Sequence, residues 1–127
     1  MSKEIITTNQ APSPIGPYSQ AVKAGNTLYI SGQIPTNPET GALVEGNVAE
    51  EARQVLKNLQ GILTAAGYSF ADVVKTTIFL RTMDDFAAVN EVYGEYVEPN
   101  PPARETVAVA GLPKNVRVEI SMIAWKL

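Results

Sequence analysis

The sequence predicts an α+β fold in which two helices cover one face of a mixed β-sheet. Two apolar stripes carry the helices. Val48, Ala52, Val55, Leu56, Leu59, Ile62, Leu63 and Ala66 recur at three- and four-residue steps, and Phe86, Val89, Tyr93 and Tyr96 do so again further on. Around them lie runs rich in β-branched and aromatic residues: Tyr18 to Ala24, Thr27 to Gln33, Val73 to Thr82, the stretch from Arg104 to Val109, and Val116 to Trp125. Strands, then helix, strand, helix and two more strands suit parallel halves joined by helical crossovers, which bury both stripes on one side of the sheet. The other sheet face is left over and wants a partner.

Each element has a local reason. Gly25-Asn26 is a two-residue punctuation that suits a hairpin between the first two runs. Leu28, Ile30 and Gly32 fall on one face of the second run and Tyr29, Ser31 and Gln33 on the other, and a glycine inside a strand marks a bulge or a close backbone approach. Asn47 with Glu50 three residues on reads as a helix N-cap, and Gly67 is placed to stop that helix, with Glu51, Lys57 and Gln60 on its outside. Val73 to Thr82 carries apolar residues on both faces, as an interior strand does. Thr82 and Asp85 open the second helix and Pro99, Pro101 and Pro102 end it, with Asn90 at a solvent or helix-edge position. In the last run Val116, Val118, Ile120, Met122 and Ala124 form an apolar face. Arg117, Glu119, Ser121, Ile123 and Trp125 form the opposite one, too apolar for free solvent and too charged for a core, as an oligomer interface reads.

Composition narrows the chemistry. The 127 residues read as a single domain over residues 1–127, large enough to bury roughly two-thirds of its unfolded surface without staples. There is no Cys and no His, which excludes thiolate and imidazole nucleophiles and the usual zinc or iron ligand sets. Chemistry falls to Arg, Lys, Asp, Glu, Ser, Thr, Tyr, backbone groups and water. A formal charge of -3, with Lys and Arg scattered, argues against a nucleic-acid partner. No stretch approaches the ~20 apolar residues of a membrane span, so a cytoplasmic protein is the expectation.

Two stretches carry the functional expectation. Ala11 to Gln20 is dense in Pro and Gly, a stiff loop able to fix Tyr18 at a site. Arg104 lies where the loop Pro99 to Pro102 turns into strand, with Thr106 and Ala108 on its face and Glu105 on the other. Should the last two strands pair through the turn Gly111 to Asn115, Arg104 and Glu119 would share a cleft: a fork for a carboxylate beside a group able to move a proton.

The segments Ile15-Gly16-Pro17-Tyr18-Ser19-Gln20, Ser31-Gly32-Gln33-Ile34-Pro35, Asn90-Glu91-Val92-Tyr93, Pro102-Ala103-Arg104 and Val118-Glu119-Ile120 together resemble the RidA/YjgF family of reactive intermediate deaminases, in order and spacing and over nearly the whole chain. The resemblance implies a chorismate-mutase-like fold and a homotrimer whose sheets form a central barrel, with active sites in the clefts between subunits. It also implies hydrolysis of 2-imino and 2-aminoacrylate-type acids to 2-keto acids and ammonia. Arg104 then looks like the carboxylate-binding arginine and Glu119 like the residue associated with the attacking water. Tyr18, Ser31, Gly32, Asn90 and Thr106 look like substrate-binding residues. Where many members have Ser-Cys after the arginine this chain has Glu105-Thr106, and Gly111 stands where an arginine is common. A cysteine role is excluded, while the backbone amide of Thr106 can still serve. No metal or organic cofactor is required, since an imine is already electrophilic. The competing readings are a non-catalytic binder of keto acids using the same pocket and, weakest on charge, a nuclease or translation inhibitor.

Overall fold

The computed structural model describes residues 2–127. Six strands and two α-helices follow one another as β1 (Glu4–Ile6), β2 (Ala21–Ala24), β3 (Thr27–Gln33), α1 (Val48–Ala65), β4 (Val73–Leu80), α2 (Phe86–Val97), β5 (Ala103–Ala108) and β6 (Val118–Trp125). They form one sheet in the order β1-β2-β3-β6-β4-β5, with β4 and β5 parallel and every other neighbouring pair antiparallel. The α+β expectation holds, with α2 as the crossover between the parallel strands. The three-residue β1 was not foreseen, and β2 begins at Ala21 rather than Tyr18.

Local chemistry sets the boundaries. Gly25 takes φ 61° in the β2–β3 turn, a left-handed conformation open to glycine at little cost. Asn47 Oδ1 accepts from the Glu50 amide at 3.0 Å to start α1, and Gly67 at φ 81° stops it. Thr82 caps a short 3₁₀ turn, Met83–Asp85, from which α2 starts at Phe86. Leu28, Leu56, Leu59, Ile62, Ile78, Leu80, Ile120 and Met122 are all but inaccessible, so the core fills the space between α1, α2 and one face of β3, β6 and β4.

Three expectations are corrected. β5 and β6 do not pair through the Gly111–Asn115 turn, because β4 lies between them. Glu51 is not on the outside of α1: it is buried, accepts from the Arg117 amide at 3.0 Å and pairs with Arg117 Nη1 at 3.2 Å. Arg117 therefore turns to α1, where it also donates to Gly46 O, and leaves the face that Glu119 occupies. Finally, Ile30 pairs with Met122 but Gln33 with Ile120, three residues of β3 against two of β6, a bulge. The extra residue reverses the alternation. Gln33 enters the core with Leu28 and Ile30, and Gly32 moves to the open face against Glu119.

That open face keeps large apolar groups in view. Tyr29 is 50% exposed, Trp125 48% and Val107 43%, with Phe79 and Ile123 half-buried among them. Glu105 also stands there, held by Lys75 Nζ at 3.2 Å and Thr77 Oγ1 at 3.1 Å.

Candidate functional site

Arg104 occupies the helix side of edge strand β5, opposite Thr76 in the β4–β5 ladder. Its Nη1 donates to Asn90 Oδ1 at 2.6 Å, and its guanidinium carbon lies 5.3 Å from the ring centre of Tyr93 and 5.6 Å from that of Phe86. No carboxylate among the described residues pairs with it, so the rest of the fork is free to take an anion. A cleft of about 380 Å³ opens beside it, walled by Asn90, Tyr93, Val97, Glu98 and Pro102.

Thr106 lies two residues on, facing the same side. The Val109 amide donates inward to Leu80 O, so by alternation the amides of Glu105 and Val107 also point to β4 while those of Arg104, Thr106 and Ala108 point outward. The Thr106 N–H is thus presented on an unpaired sheet edge beside the guanidinium. Its Oγ1 is buried without a hydrogen-bond partner.

The remaining candidates gather elsewhere. Glu119, in β6, lies against Gly32, and a methyl group at position 32 would collide with Glu119 Oε2. Burial raises the Glu119 carboxyl above the ordinary glutamate value, a shift that favours proton acceptance nearer neutrality. The Ser31 hydroxyl donates to Ser19 O at 2.6 Å and the Ser31 amide to Gln20 O at 2.9 Å, which fastens the loop carrying Tyr18 to the end of β3. Tyr18 itself is half exposed and lines a cleft of about 280 Å³ with Ile15, Gly32, Ile34 and Lys114.

Within one chain these are two separate clusters. Asn90, Arg104 and Thr106 stand on the helix side of β5; Tyr18, Ser31, Gly32 and Glu119 cluster at the bulge of β3 and on the open face of β6, with β4 between the two strands. The cleft expected from pairing of the last two strands does not exist in a single chain. A family model described as Endoribonuclease L-PSP matches residues 8–126. The chain belongs to the RidA/YjgF family.

Its RidA/YjgF relatives are close in both sequence and shape. A RutC family protein of Pyrococcus horikoshii is 56% identical over 124 residues, covering 98% of each chain. The human 2-iminobutanoate/2-iminopropanoate deaminase is 53% identical over 122 residues, 96% of this chain and 89% of its own. Among solved structures, RidA from an Antarctic Psychrobacter superposes with a TM-score of 0.93 at 47% identity, covering 97% of this chain and 99% of that one. E. coli TdcF with bound serine does so at 0.92 and 42%, covering 98% and 99%.

Sequence reasoning missed three supporting residues. Gln20 is buried and bonds the N-terminal arm at both ends of its amide: Thr8 N donates to Oε1 at 2.7 Å, and Nε2 donates to Thr8 O and Pro12 O at 2.9 Å. A glutamine ending a Pro-rich stretch was the available signal. Phe86 and Tyr93 read in the sequence only as core stripe, although with Asn90 they stand at i, i+7 and i+4 of one helix face.

Proposed function

We propose that this protein hydrolyses 2-imino acids, or their enamine tautomers, to 2-keto acids and ammonia, at a site formed where two subunits of a homotrimer meet. One observation carries the reading: the residues for holding a carboxylate and those for moving a proton lie on two separate surfaces of the chain, each complete in itself and open to a partner. The apolar, unhelixed sheet face with Tyr29, Val107 and Trp125 supports association, and the deaminase names of relatives such as the human protein support the chemistry.

In the mechanism the substrate carboxylate takes the free edge of the Arg104 guanidinium and the outward Thr106 amide, charged hydrogen bonds worth about 1.5–3 kcal/mol each. Asn90 keeps the other edge of the guanidinium from swinging away. Glu119 of the partner subunit accepts a proton from water as the water oxygen bonds to the imine carbon and the C=N π electrons move to nitrogen. That proton passes to nitrogen to give the neutral carbinolamine; Glu119 then carries the hydroxyl's remaining proton to the amine, and as the C=O forms the C–N bond breaks and ammonia leaves. Tyr18 closes the pocket, and Gly32 gives the carboxyl its room.

Imines generated in situ by an amino-acid oxidase, with keto acid and ammonia measured directly, test the reading. Arg104→Ala should lose at least about 10² in kcat/KM, with Arg104→Lys rescuing poorly because an ammonium lacks the planar fork. Glu119→Gln should still bind 2-keto acid but turn over slowly. If the unaltered protein binds 2-keto acids and releases no ammonia above the spontaneous rate, it is a non-catalytic keto-acid binder instead.

A further inference from the structure

The phenol of Tyr93 ties together the elements that hold Arg104. Phe86, Asn90 and Tyr93 project from one stripe of α2, and all three touch the Arg104 guanidinium, two by their rings and one by its amide oxygen. Across the ladder from Arg104 is Thr76, wholly buried, and the Tyr93 hydroxyl donates to Thr76 Oγ1 at 3.0 Å. The ring therefore runs from α2 to the residue paired with Arg104, and its far end is fixed. Burial also pushes the Tyr93 hydroxyl above its ordinary range, which keeps it protonated and donating. An arginine without a carboxylate partner has many rotamers open to it, and a clamp built on a long side chain works only when its supports limit them.

We propose that Tyr93, tethered to Thr76, is the positioning residue that aims the free edge of Arg104 at the substrate carboxylate. The inference rests on the carboxylate-clamp reading above, and the variants separate the two. Kinetics of imine hydrolysis and binding of 2-oxobutanoate are measured for Tyr93→Leu, Tyr93→Phe, and Tyr93→Leu combined with Arg104→Ala. Tyr93→Leu should raise both KM and Kd about tenfold while kcat stays within about threefold, because orientation of the anchor is lost and the chemistry is not. Tyr93→Phe, which keeps the ring and drops only the tether, should show an intermediate loss of about threefold in KM and Kd, because the ring stays over the guanidinium while its far end is freed. In the Arg104→Ala background Tyr93→Leu should add almost nothing, since it acts only through the guanidinium. Phe86→Leu removes the other ring and should raise KM likewise, which carries the test if Tyr93→Leu does not fold. The Arg104 Nε–H resonance gives a readout independent of activity: ring-shifted in the parent, it should move toward its random-coil position in Tyr93→Leu. A parent that neither binds 2-oxobutanoate nor hydrolyses imines overturns the clamp reading, and the resonance then decides on Tyr93 by itself. A KM within twofold of the parent for Tyr93→Leu, a loss confined to kcat, full additivity with Arg104→Ala, or an unmoved resonance would each overturn the positioning role.

Discussion

Arg104 and Glu119 stand on opposite faces of the sheet with β4 between their strands, so one protomer cannot bring its own pair to one substrate. Arg104 shares its face with Thr76 and Ile78, both buried under the helices, whereas Glu119 pairs with Phe79 on the uncovered side. A site that uses both residues needs a second chain, and that requirement is open to a direct experiment.

Mixing should restore activity between two defective variants. Arg104→Ala subunits retain Glu119 and Glu119→Gln subunits retain Arg104, so in mixed assemblies of the proposed trimer some interfaces would join an intact arginine to an intact glutamate. For random assembly about a quarter of the sites are complete, and co-expressed variants should recover about that share of parental turnover although each alone is nearly inactive. Activity of the mixture no greater than the mean of the two variants would place both residues in one subunit's site and remove the intersubunit reading.

Gly32→Ala should damage turnover far more than stability. The backbone at Gly32 is not left-handed, so alanine meets no conformational penalty there, but its methyl would occupy the space of the Glu119 carboxyl, with Glu119 Cδ within 2.9 Å. A side-chain end can swing aside, which keeps the folding cost small while the proposed base moves off its target by about 1 Å, enough for roughly a 10²-fold loss. Thermal melting and kcat measured side by side decide it. Unchanged kcat would mean that the Glu119 position seen here is not the one used in catalysis.

What the sequence disclosed and what it hid divide along a physical line. Helix stripes, the Asn47 cap, the Gly67 stop and the Gly25 turn are encoded by neighbours within a few positions, and they appear where expected. Strand order is decided by contacts far apart in the chain, which is why the insertion of β6 between β3 and β4 escaped a reading that joined β5 to β6 through their short connection. Glu51 shows the same limit. Its place on α1 looks solvated until Arg117, distant in sequence, supplies the amide and guanidinium that let a carboxylate be buried. At the site, single residues such as Arg104, Glu119 and Asn90 stand out by type, but the support from Phe86 and Tyr93 is hidden because aromatic residues at helical spacing look the same whether they fill a core or hold a cation.

Thr106→Val should stabilise the fold and leave turnover nearly unchanged. Thr106 Oγ1 is buried without a hydrogen-bond partner, and an unsatisfied buried hydroxyl costs about 1–3 kcal/mol, whereas valine has nearly the same shape and no such penalty. A rise in Tm of a few degrees is expected, with activity within about threefold, because the proposed ligand contact at this position is the outward amide. A tenfold or greater loss of kcat/KM would show instead that substrate or a partner subunit supplies the missing partner for the hydroxyl.

Glu119 should leave its mark on both the pH–rate profile and the pH–stability profile. Its carboxyl is raised above the ordinary value of 4.5 because burial disfavours the charge. With the folded pKa above the unfolded one, its contribution to stability is fully present below the unfolded value and is lost as pH rises through the folded value. Glu119→Gln cannot ionise, so parent and variant should melt alike in acid, while near neutrality the variant should be the more stable. Turnover should run the other way. In its proposed role as the base, Glu119 must be ionised before it can take a proton from water, so parental kcat/KM should rise with pH along an acid limb whose midpoint lies above the usual glutamate range. In Glu119→Gln that limb should vanish and leave a low, flat rate. Melting curves and kcat/KM across the acid-to-neutral range check both arms on the same samples. If the variant melts lower than the parent at neutral pH, the ionised carboxylate is making a favourable contact in the assembled protein; if the limb survives the substitution, the titrating base is another group.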